Sequence, residues 1–200
     1  MKVYLVSNNS LLDGLNYESK ENLENIRMIR PISIIGEVNA QKISEKSLFE
    51  NVERVYSSFY SNALNSAKYL ANKLNLDINL NECFNDCKVG YLGSKNMKMV
   101  KGLQDHDFNY KLSNGESLND VGNRFEVGIN QILDNEDIVI FTHKRAILGY
   151  LLKFSNIGYN LDDHLILEFN GKQIYDDSDT EFDIYELIIE NNKLIDINVI

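Results

Sequence analysis

Short strand-like runs and helical stripes of apolar residues alternate along the first half of the chain. Residues 3–6 form an apolar, β-rich run with the composition of a buried strand, and a second such run ends at Ser58. Apolar residues then recur at helical spacing over about 60–75, which predicts a helix. Ile78 and Leu80 alternate with polar residues and predict a third, short strand.

The second half of the chain repeats this alternation and then changes to hairpins. A helix is predicted from Ser117, followed by the cleanest buried strand of the chain at 138–141 and an apolar helix at 146–154. Asn170-Gly171 and Asn191-Asn192 each lie between two strand-like runs, where such residues favour tight hairpin turns. The pattern therefore ends in antiparallel strands.

In two long segments the apolar residues have no regular spacing. Residues 11–31 are mixed and polar and are predicted to be a connection, before a modest amphipathic helix at 36–49. Residues 84–114 form a long excursion that we expect to be a lid or a wall of a site, or to contain short helices. The whole order predicts one α/β domain over residues 1–200. Its three-layer, mostly parallel sheet is flanked by helices on both faces and has antiparallel edge strands near the C-terminus.

The net charge of the chain limits the kinds of binding partner that we expect. The chain has 200 residues, 44% of them hydrophobic, and a formal net charge of -10. An acidic surface of this kind argues against nucleic acid and anionic membranes as partners. No apolar run approaches the roughly 20 residues of a membrane span, and the N-terminus has no signal-peptide pattern, so we expect a cytoplasmic protein.

Cys83 and Cys87 would share one face if their segment were helical, and such a pair can belong to a metal site. No further cysteine or histidine pair lies nearby in the sequence to complete a set of four metal ligands. We therefore predict two ordinary reduced cysteines, no metal site and no cofactor.

Six short motifs follow one another in a recognisable order. They are LVSNN at 5–9, ISIIGEVNA at 32–40, SSFYSNALNSA at 57–67, FNDCKVG at 84–90, GES at 115–117 and THKR at 142–145. In this order and spacing, the chain resembles the histidine phosphatase superfamily, the phosphoglycerate mutase-like proteins. The resemblance covers nearly the whole chain and implies a phosphoglycerate mutase-like fold.

The resemblance also implies a chemistry for the site. In that family the first strand ends in Arg-His-Gly, and the histidine takes the phosphoryl group. Two arginines and a second histidine hold the negatively charged phosphoryl oxygens, and a carboxylic acid protonates the leaving group. Ser7, Asn8 and Asn9 stand at the Arg-His-Gly positions here, and Asn62 stands at that of the second arginine. Asn8 cannot form a phosphohistidine because the lone pair of its amide nitrogen is delocalised.

Other positions of the family site keep charged or polar residues. His143 matches the second histidine, Asp86 falls at the acid position, and Glu116 keeps the carboxylate of GES. Lys144 and Arg145 replace two glycines and add positive charge where a helix begins. The resemblance thus predicts an anion site of His143, Lys144 and Arg145 with Glu116 in the cleft wall. It makes His143 and Asp86 the catalytic candidates if any activity is kept.

Each remaining candidate also has an ordinary structural explanation. His143 is equally well explained as a polar strand-end residue left from an ancestral site. His106, which lies between two aspartates, is better explained as a solvated loop histidine than as a replacement nucleophile, and His164 as a surface residue. Ser7 would need an adjacent base such as His143 to act as a nucleophile, and a turn serine is the simpler interpretation.

Three functions are compatible with these residues. The first, which we favour, is a protein with the histidine phosphatase fold that has lost the family chemistry and serves as a non-catalytic binding or regulatory protein. The second is a hydrolase of a small phosphorylated metabolite that uses another nucleophile or water, with His143 as base and Asp86 as acid. The third binds a phosphorylated metabolite without turnover, through His143, Lys144 and Arg145. The expected partner is a phosphorylated small molecule or a protein, and the sequence leaves the oligomeric state open.

Overall fold

The computed structural model describes residues 1–7, 11–12, 23–178 and 184–200. Within these ranges the chain forms nine strands and six α-helices. In chain order they are β1 (Lys2–Ser7), α1 (Leu23–Ile29), α2 (Ile34–Ser44), β2 (Arg54–Ser57), α3 (Ser61–Leu74), β3 (Ile78–Leu80), α4 (Met97–His106), α5 (Leu118–Ile132), β4 (Ile138–Thr142), α6 (Lys144–Leu151), β5 (Asn156–Tyr159), β6 (Leu165–Phe169), β7 (Lys172–Asp176), β8 (Ile184–Glu190) and β9 (Lys193–Val199).

The main sheet has six strands in the order β3-β2-β4-β1-β8-β9. Strands β3, β2, β4 and β1 run parallel, β8 pairs antiparallel with β1, and β9 pairs antiparallel with β8. This arrangement confirms the predicted α/β fold, with a mostly parallel sheet and antiparallel strands from the C-terminal part of the chain at one edge.

Helices cover both faces of this sheet. Val3 and Leu5 of β1 pack into one apolar cluster together with residues of α5 and α6. Tyr4 and Val6 point to the other face and pack with residues of α2 and α3. Alternate side chains of a strand lie on opposite faces, so a continuous apolar run such as that of β1 fits a strand that is buried on both sides.

Two glycines bring α5 and α6 into close contact. A Cβ atom on Gly122 would overlap the carbonyl oxygen of Gly149, and one on Gly149 would lie 2.7 Å from the carbonyl oxygen of Leu118. A side chain at either position would therefore push the two helices apart. Helix α6 begins directly after His143, so this contact fixes the position of the helix that follows His143.

The C-terminal hairpins agree with the prediction in their turns but only partly in their placement. Asn191 and Asn192 have positive φ values of 51° and 59°, as a tight turn between β8 and β9 requires, and Asn170 and Gly171 connect β6 to β7 in the same way. The β6–β7 hairpin does not extend the main sheet, however. It joins β5 in a separate three-stranded antiparallel sheet.

Two helices lie in the segments for which the sequence predicts no clear period. Helix α1 lies in the 11–31 connection and has no buried residue, and α4 lies in the 84–114 excursion and buries only Val100 and Gln104. Both helices therefore lack the wide apolar stripe that makes a helix visible in a sequence. None of the described helices is long and apolar enough to cross a membrane.

Candidate functional site

His143 lies where β4 ends and α6 begins, at the carboxyl edge of the parallel strands. Its side chain is almost fully buried. The Nε2 atom is 2.8 Å from the hydroxyl oxygen of Ser58, which directly follows the neighbouring strand β2. The ring of Tyr60 packs edge-on against the imidazole, with 4.8 Å between the ring centroids. Adjacent parallel strands thus bring these three residues together at the edge where α/β folds place their sites.

Burial determines the charge of this histidine. Removal from water disfavours the imidazolium form and, with the positive charges of Arg27 and Arg124, outweighs the opposing effect of Asp86, so the pKa of His143 falls to about 4. The ring is therefore neutral at pH 7. A neutral imidazole can accept a proton or a hydrogen bond, but it adds no positive charge to an anion site.

Asp86 is held as a carboxylate beside this histidine. Its side chain forms an ion pair with Arg27 of α1 and accepts a hydrogen bond of 2.8 Å from the backbone N–H of Cys87. Burial alone would raise the pKa of Asp86, but the Arg27 charge and this N–H outweigh it, and the pKa lies below its ordinary value. Asp86 therefore carries no proton near pH 7.

Polar contacts hold α1 at the site. Besides its ion pair with Asp86, Arg27 donates a hydrogen bond of 2.9 Å to the carbonyl oxygen of Cys87. Tyr60 donates a hydrogen bond to Glu24, one turn before Arg27. A short helix without buried residues is thus fixed by its charged side chains.

A cavity of about 560 Å³ lies beside His143. Among the described residues that line it, five are cations and three are acids. The cations are Arg27, Arg30, Lys101, Lys144 and Arg145, and the acids are Asp86, Asp105 and Asp177. The lining thus has an excess of positive charge, although the whole chain has a formal net charge of -10.

Lys144 and Arg145 both line this cavity, as the sequence suggests, but their surroundings differ. The guanidinium of Arg145 forms an ion pair with Asp105 and donates a hydrogen bond of 3.0 Å to Gln104, so its charge is largely compensated within the protein. The ammonium of Lys144 lies 5.3 Å from the centre of the Tyr175 ring.

The substituted family positions are only partly within the described residues. Asn62 is buried, lines the cavity and has an Oδ1 atom without a hydrogen-bond partner in the described part of the chain. Ser7 is buried at the end of β1 and does not belong to the cavity lining, and its Oγ atom likewise lacks a partner among the described residues. Asn8 and Asn9 lie outside the described residues.

Glu116 has a different place from the one predicted. Its carboxylate accepts hydrogen bonds from Arg124, of 2.8 Å from Nε and 3.0 Å from Nη2, and one of 2.9 Å from the backbone N–H of Lys88. Glu116 is not among the residues that line the cavity. Its carboxylate fastens the 84–114 excursion to α5 instead of forming a cleft wall.

All three histidines of the chain lie within the described residues, and of them only His143 lines the cavity. The half-exposed ring of His106 stacks on Tyr159, and its Nε2 atom is 3.4 Å from Asp163. His164 is exposed. Within the described ranges, no cluster of three or more His, Cys, Asp or Glu residues could hold a metal ion.

A comparison with protein families gives a match for residues 22–171, to the histidine phosphatase superfamily (branch 1). The chain belongs to the histidine phosphatase superfamily. No curated protein sequence matches it significantly.

Solved structures support the same superfamily fold. A mycobacterial glucosyl-3-phosphoglycerate phosphatase, solved with inorganic phosphate, is 14% identical and superposes with a TM-score of 0.67 over 99% of this chain and 94% of its own. Bacillus stearothermophilus YhfR is 17% identical, with a TM-score of 0.65 over 97% of this chain and 94% of its own. At these identities, the similarity establishes the fold alone.

Proposed function

We propose that this histidine phosphatase-fold protein binds a phosphorylated small molecule in the cavity beside His143, without forming a phosphohistidine. The observation that carries the proposal is the excess of cations in the cavity lining of an acidic chain. Arg27 pairs with Asp86, and Arg145 pairs with Asp105. Among the described residues, the lining contains five cations, one of them Lys101, and three acids. Such a surface attracts an anion.

The histidine content argues against turnover by the family route. That route needs one histidine as nucleophile and a second one beside it, whereas His143 is the one histidine of the chain that lines the cavity. The resemblance places Asn8 at the nucleophile position. The Nε2 atom of His143 is already engaged with Ser58, which keeps it from serving as an unhindered nucleophile.

The state of Asp86 argues against turnover as well. A general acid must hold a proton near the working pH, so its pKa has to be raised towards neutrality. Asp86 is instead an ion-paired carboxylate whose pKa is lowered. It cannot protonate a leaving group while Arg27 holds it.

One observation favours a second candidate function, hydrolysis by water. His143 is a neutral imidazole at pH 7, so a ring nitrogen can accept a proton from an attacking water, although a pKa of about 4 makes it a weak base. Asp86, ionised and paired with Arg27, does not supply the general acid. This function therefore fits a substrate whose leaving group departs without protonation.

Phosphate binding tests the main proposal. Isothermal titration calorimetry should give measurable binding of inorganic phosphate, and phosphate should raise the melting temperature because it binds the folded state. Lys101→Gln should weaken binding about fivefold, the effect of one nearby charge in water. Lys98→Gln is the matched control, since Lys98 is an exposed lysine of the same helix that does not line the cavity. Absence of binding, or equal affinity of both variants, would refute the proposal.

A turnover assay separates the two candidates. The purified protein is incubated with a panel of phosphomonoesters that includes an aryl phosphate, and released phosphate is measured. The binding function predicts no release above the background. Release that disappears in His143→Ala, while a His106→Ala control keeps it, would establish the hydrolase instead.

A further inference from the structure

The cavity beside His143 has an apolar wall in addition to its cations. Four of the described residues that line it have aliphatic or thioether side chains. They are Leu11, Leu23, Val89 and Met97, and we refer to them as the apolar wall. None of these side chains can donate or accept a strong hydrogen bond. The cavity thus presents two different chemistries to one ligand.

Three of the four residues of the apolar wall belong to a small cluster separate from the two main cores. Val89, Leu92 and Val100 form the buried centre of this cluster, and Leu23 and Met97 pack against it while staying only partly buried. Met97 is the first residue of α4, and Leu23 is the first residue of α1. Two helices with few buried residues therefore place apolar side chains at the cavity.

The size of the cavity exceeds what an inorganic phosphate needs. Its volume of about 560 Å³ falls in the range of roughly 300–1,000 Å³ that holds drug-sized organic ligands. A sugar body would present hydroxyl groups to the apolar wall, where they would lose hydrogen bonds to water without gaining partners. An apolar group of the size of an aromatic ring has no hydrogen bonds to water to lose, and its binding would remove the apolar wall from water.

We infer that the ligand is a phosphomonoester with an aromatic or other apolar organic group. This inference rests on the proposed phosphate-binding function and adds the class of the organic group. The phosphate lies among the cations beside His143, and the organic group lies against the apolar wall. No covalent step is involved.

Two esters of equal phosphate charge test the inference. Isothermal titration calorimetry compares phenyl phosphate with glucose 6-phosphate under the same buffer and salt conditions. We expect phenyl phosphate to bind about tenfold more tightly, the effect of removing one ring face and the facing wall from water. Equal affinities, or tighter binding of glucose 6-phosphate, would overturn the inference.

Two methionines of α4 provide matched variants. Met97→Gln places an amide in the apolar wall and should reduce the preference for phenyl phosphate over glucose 6-phosphate to about threefold or less. Met99→Gln is the control, since Met99 is exposed on the same helix and does not line the cavity. An unchanged preference in Met97→Gln would also overturn the inference.

The outcomes distinguish this inference from the proposed function. If inorganic phosphate and both esters bind with similar affinity, the anion site exists and the apolar preference is wrong. If inorganic phosphate and both esters fail to bind to the folded protein, the proposed function is wrong and the inference fails with it. Melting curves of both methionine variants establish that they are folded.

Discussion

Two arginines hold the same stretch of chain, residues 83–88, through ion pairs and hydrogen bonds to backbone carbonyls. They differ in whether their ion pairs line the cavity. Arg124 of α5 donates hydrogen bonds of 2.8 Å to the carbonyl oxygen of Cys83 and 3.0 Å to that of Asp86, and it pairs with Glu116. Arg27 of α1 donates to the carbonyl oxygen of Cys87 and pairs with the Asp86 side chain. Arg27 also pairs with Glu24 of its own helix, so each arginine binds both carboxylate and backbone carbonyl oxygens.

The difference between them is their relation to the cavity. Arg124 and Glu116 do not line it, and each of the three guanidinium nitrogens of Arg124 donates to a protein oxygen. Arg27 and Asp86 both line the cavity beside His143. The comparison teaches that a partly buried ion pair is not by itself a mark of a site. Only the second pair lines the cavity, and the first holds the backbone of residues 83–86, which includes that of Asp86.

Loss of the Arg124 side chain should have the largest effect on stability. Arg124→Ala leaves Glu116 as a partly buried carboxylate without its counter-charge and two carbonyls without donors, so the free energy of unfolding should fall by about 3–5 kcal/mol. Urea denaturation followed by circular dichroism measures this free energy of unfolding. Lys111→Ala, which removes an exposed pair with Asp120, should cost at most about 1 kcal/mol. If Arg124→Ala also lowers the free energy of unfolding by no more than about 1 kcal/mol, Arg124 does not have this structural role.

The pH dependence of stability tests the charge state of the histidine that both arginines repel. The pKa of His143 is about 4 in the folded protein, against an ordinary value of 6.5 that applies to the unfolded chain. Between these two values the unfolded chain binds the proton and the folded chain does not. Stability should therefore fall as the pH drops from 6.5 to 4, by about 3 kcal/mol from this residue.

The measurement compares urea denaturation at pH 7 and pH 4 for the wild type, His143→Gln and His106→Gln. The wild type and the His106→Gln control should lose the same stability, and His143→Gln should lose about 3 kcal/mol less. Parallel pH profiles for all three proteins would mean that His143 is charged in the folded state.

Removal of Arg27 should weaken phosphate binding and also lower stability, because Asp86 and Glu24 both lose the cation with which they pair. Arg27→Gln takes away a cavity cation and leaves the Asp86 carboxylate facing the anion without compensation. The affinity for inorganic phosphate should fall about tenfold, or about 1.4 kcal/mol, by calorimetry. Arg124→Gln, tested at a temperature where it is folded, should change this affinity less than twofold. The comparison of the two arginines fails if both variants bind phosphate equally well.

The parts of the fold that the sequence predicted are those that bury a regular apolar pattern. Strands β1 and β4 are buried at nearly every position, and α5 has a wide apolar stripe and a capping box at Ser117 and Asp120. Tight turns at Asn170-Gly171 and Asn191-Asn192 were likewise visible because positive φ values demand particular residues.

The elements that the sequence missed are held by polar or sparse contacts. Helix α1 has no buried residue and is held by the side chains of Arg27 and Glu24. Its sequence therefore shows no helical spacing of apolar residues. Strand β5 is mostly exposed. One signal for α4 was present, because Asn96 caps this helix by accepting a hydrogen bond from the backbone N–H of Met99, and asparagine is a preferred residue at that position.

The sequence pattern predicted the site residues that follow strands, but it did not predict those that α1 and α4 contribute. His143, Lys144 and Asn62 follow strands or begin helices that the pattern reveals, and the structure brings them to one cavity together with Asp86. Arg27 and Lys101 belong to α1 and α4, so nothing in the sequence pattern assigns them to the same cavity. Long-range ion pairs such as Arg27 with Asp86 depend on packing that no local period records.

The close glycine contact between α5 and α6 divides the cavity into a fixed part and an adjustable part. His143 and Lys144 begin a helix whose backbone touches its neighbour and has no room to shift. The walls from α1 and α4 rest on few buried side chains and tolerate substitution more readily. In evolutionary terms, we expect relatives of this chain to change their ligand by substitutions in those two helices, while the glycines keep the strand-end residues in register.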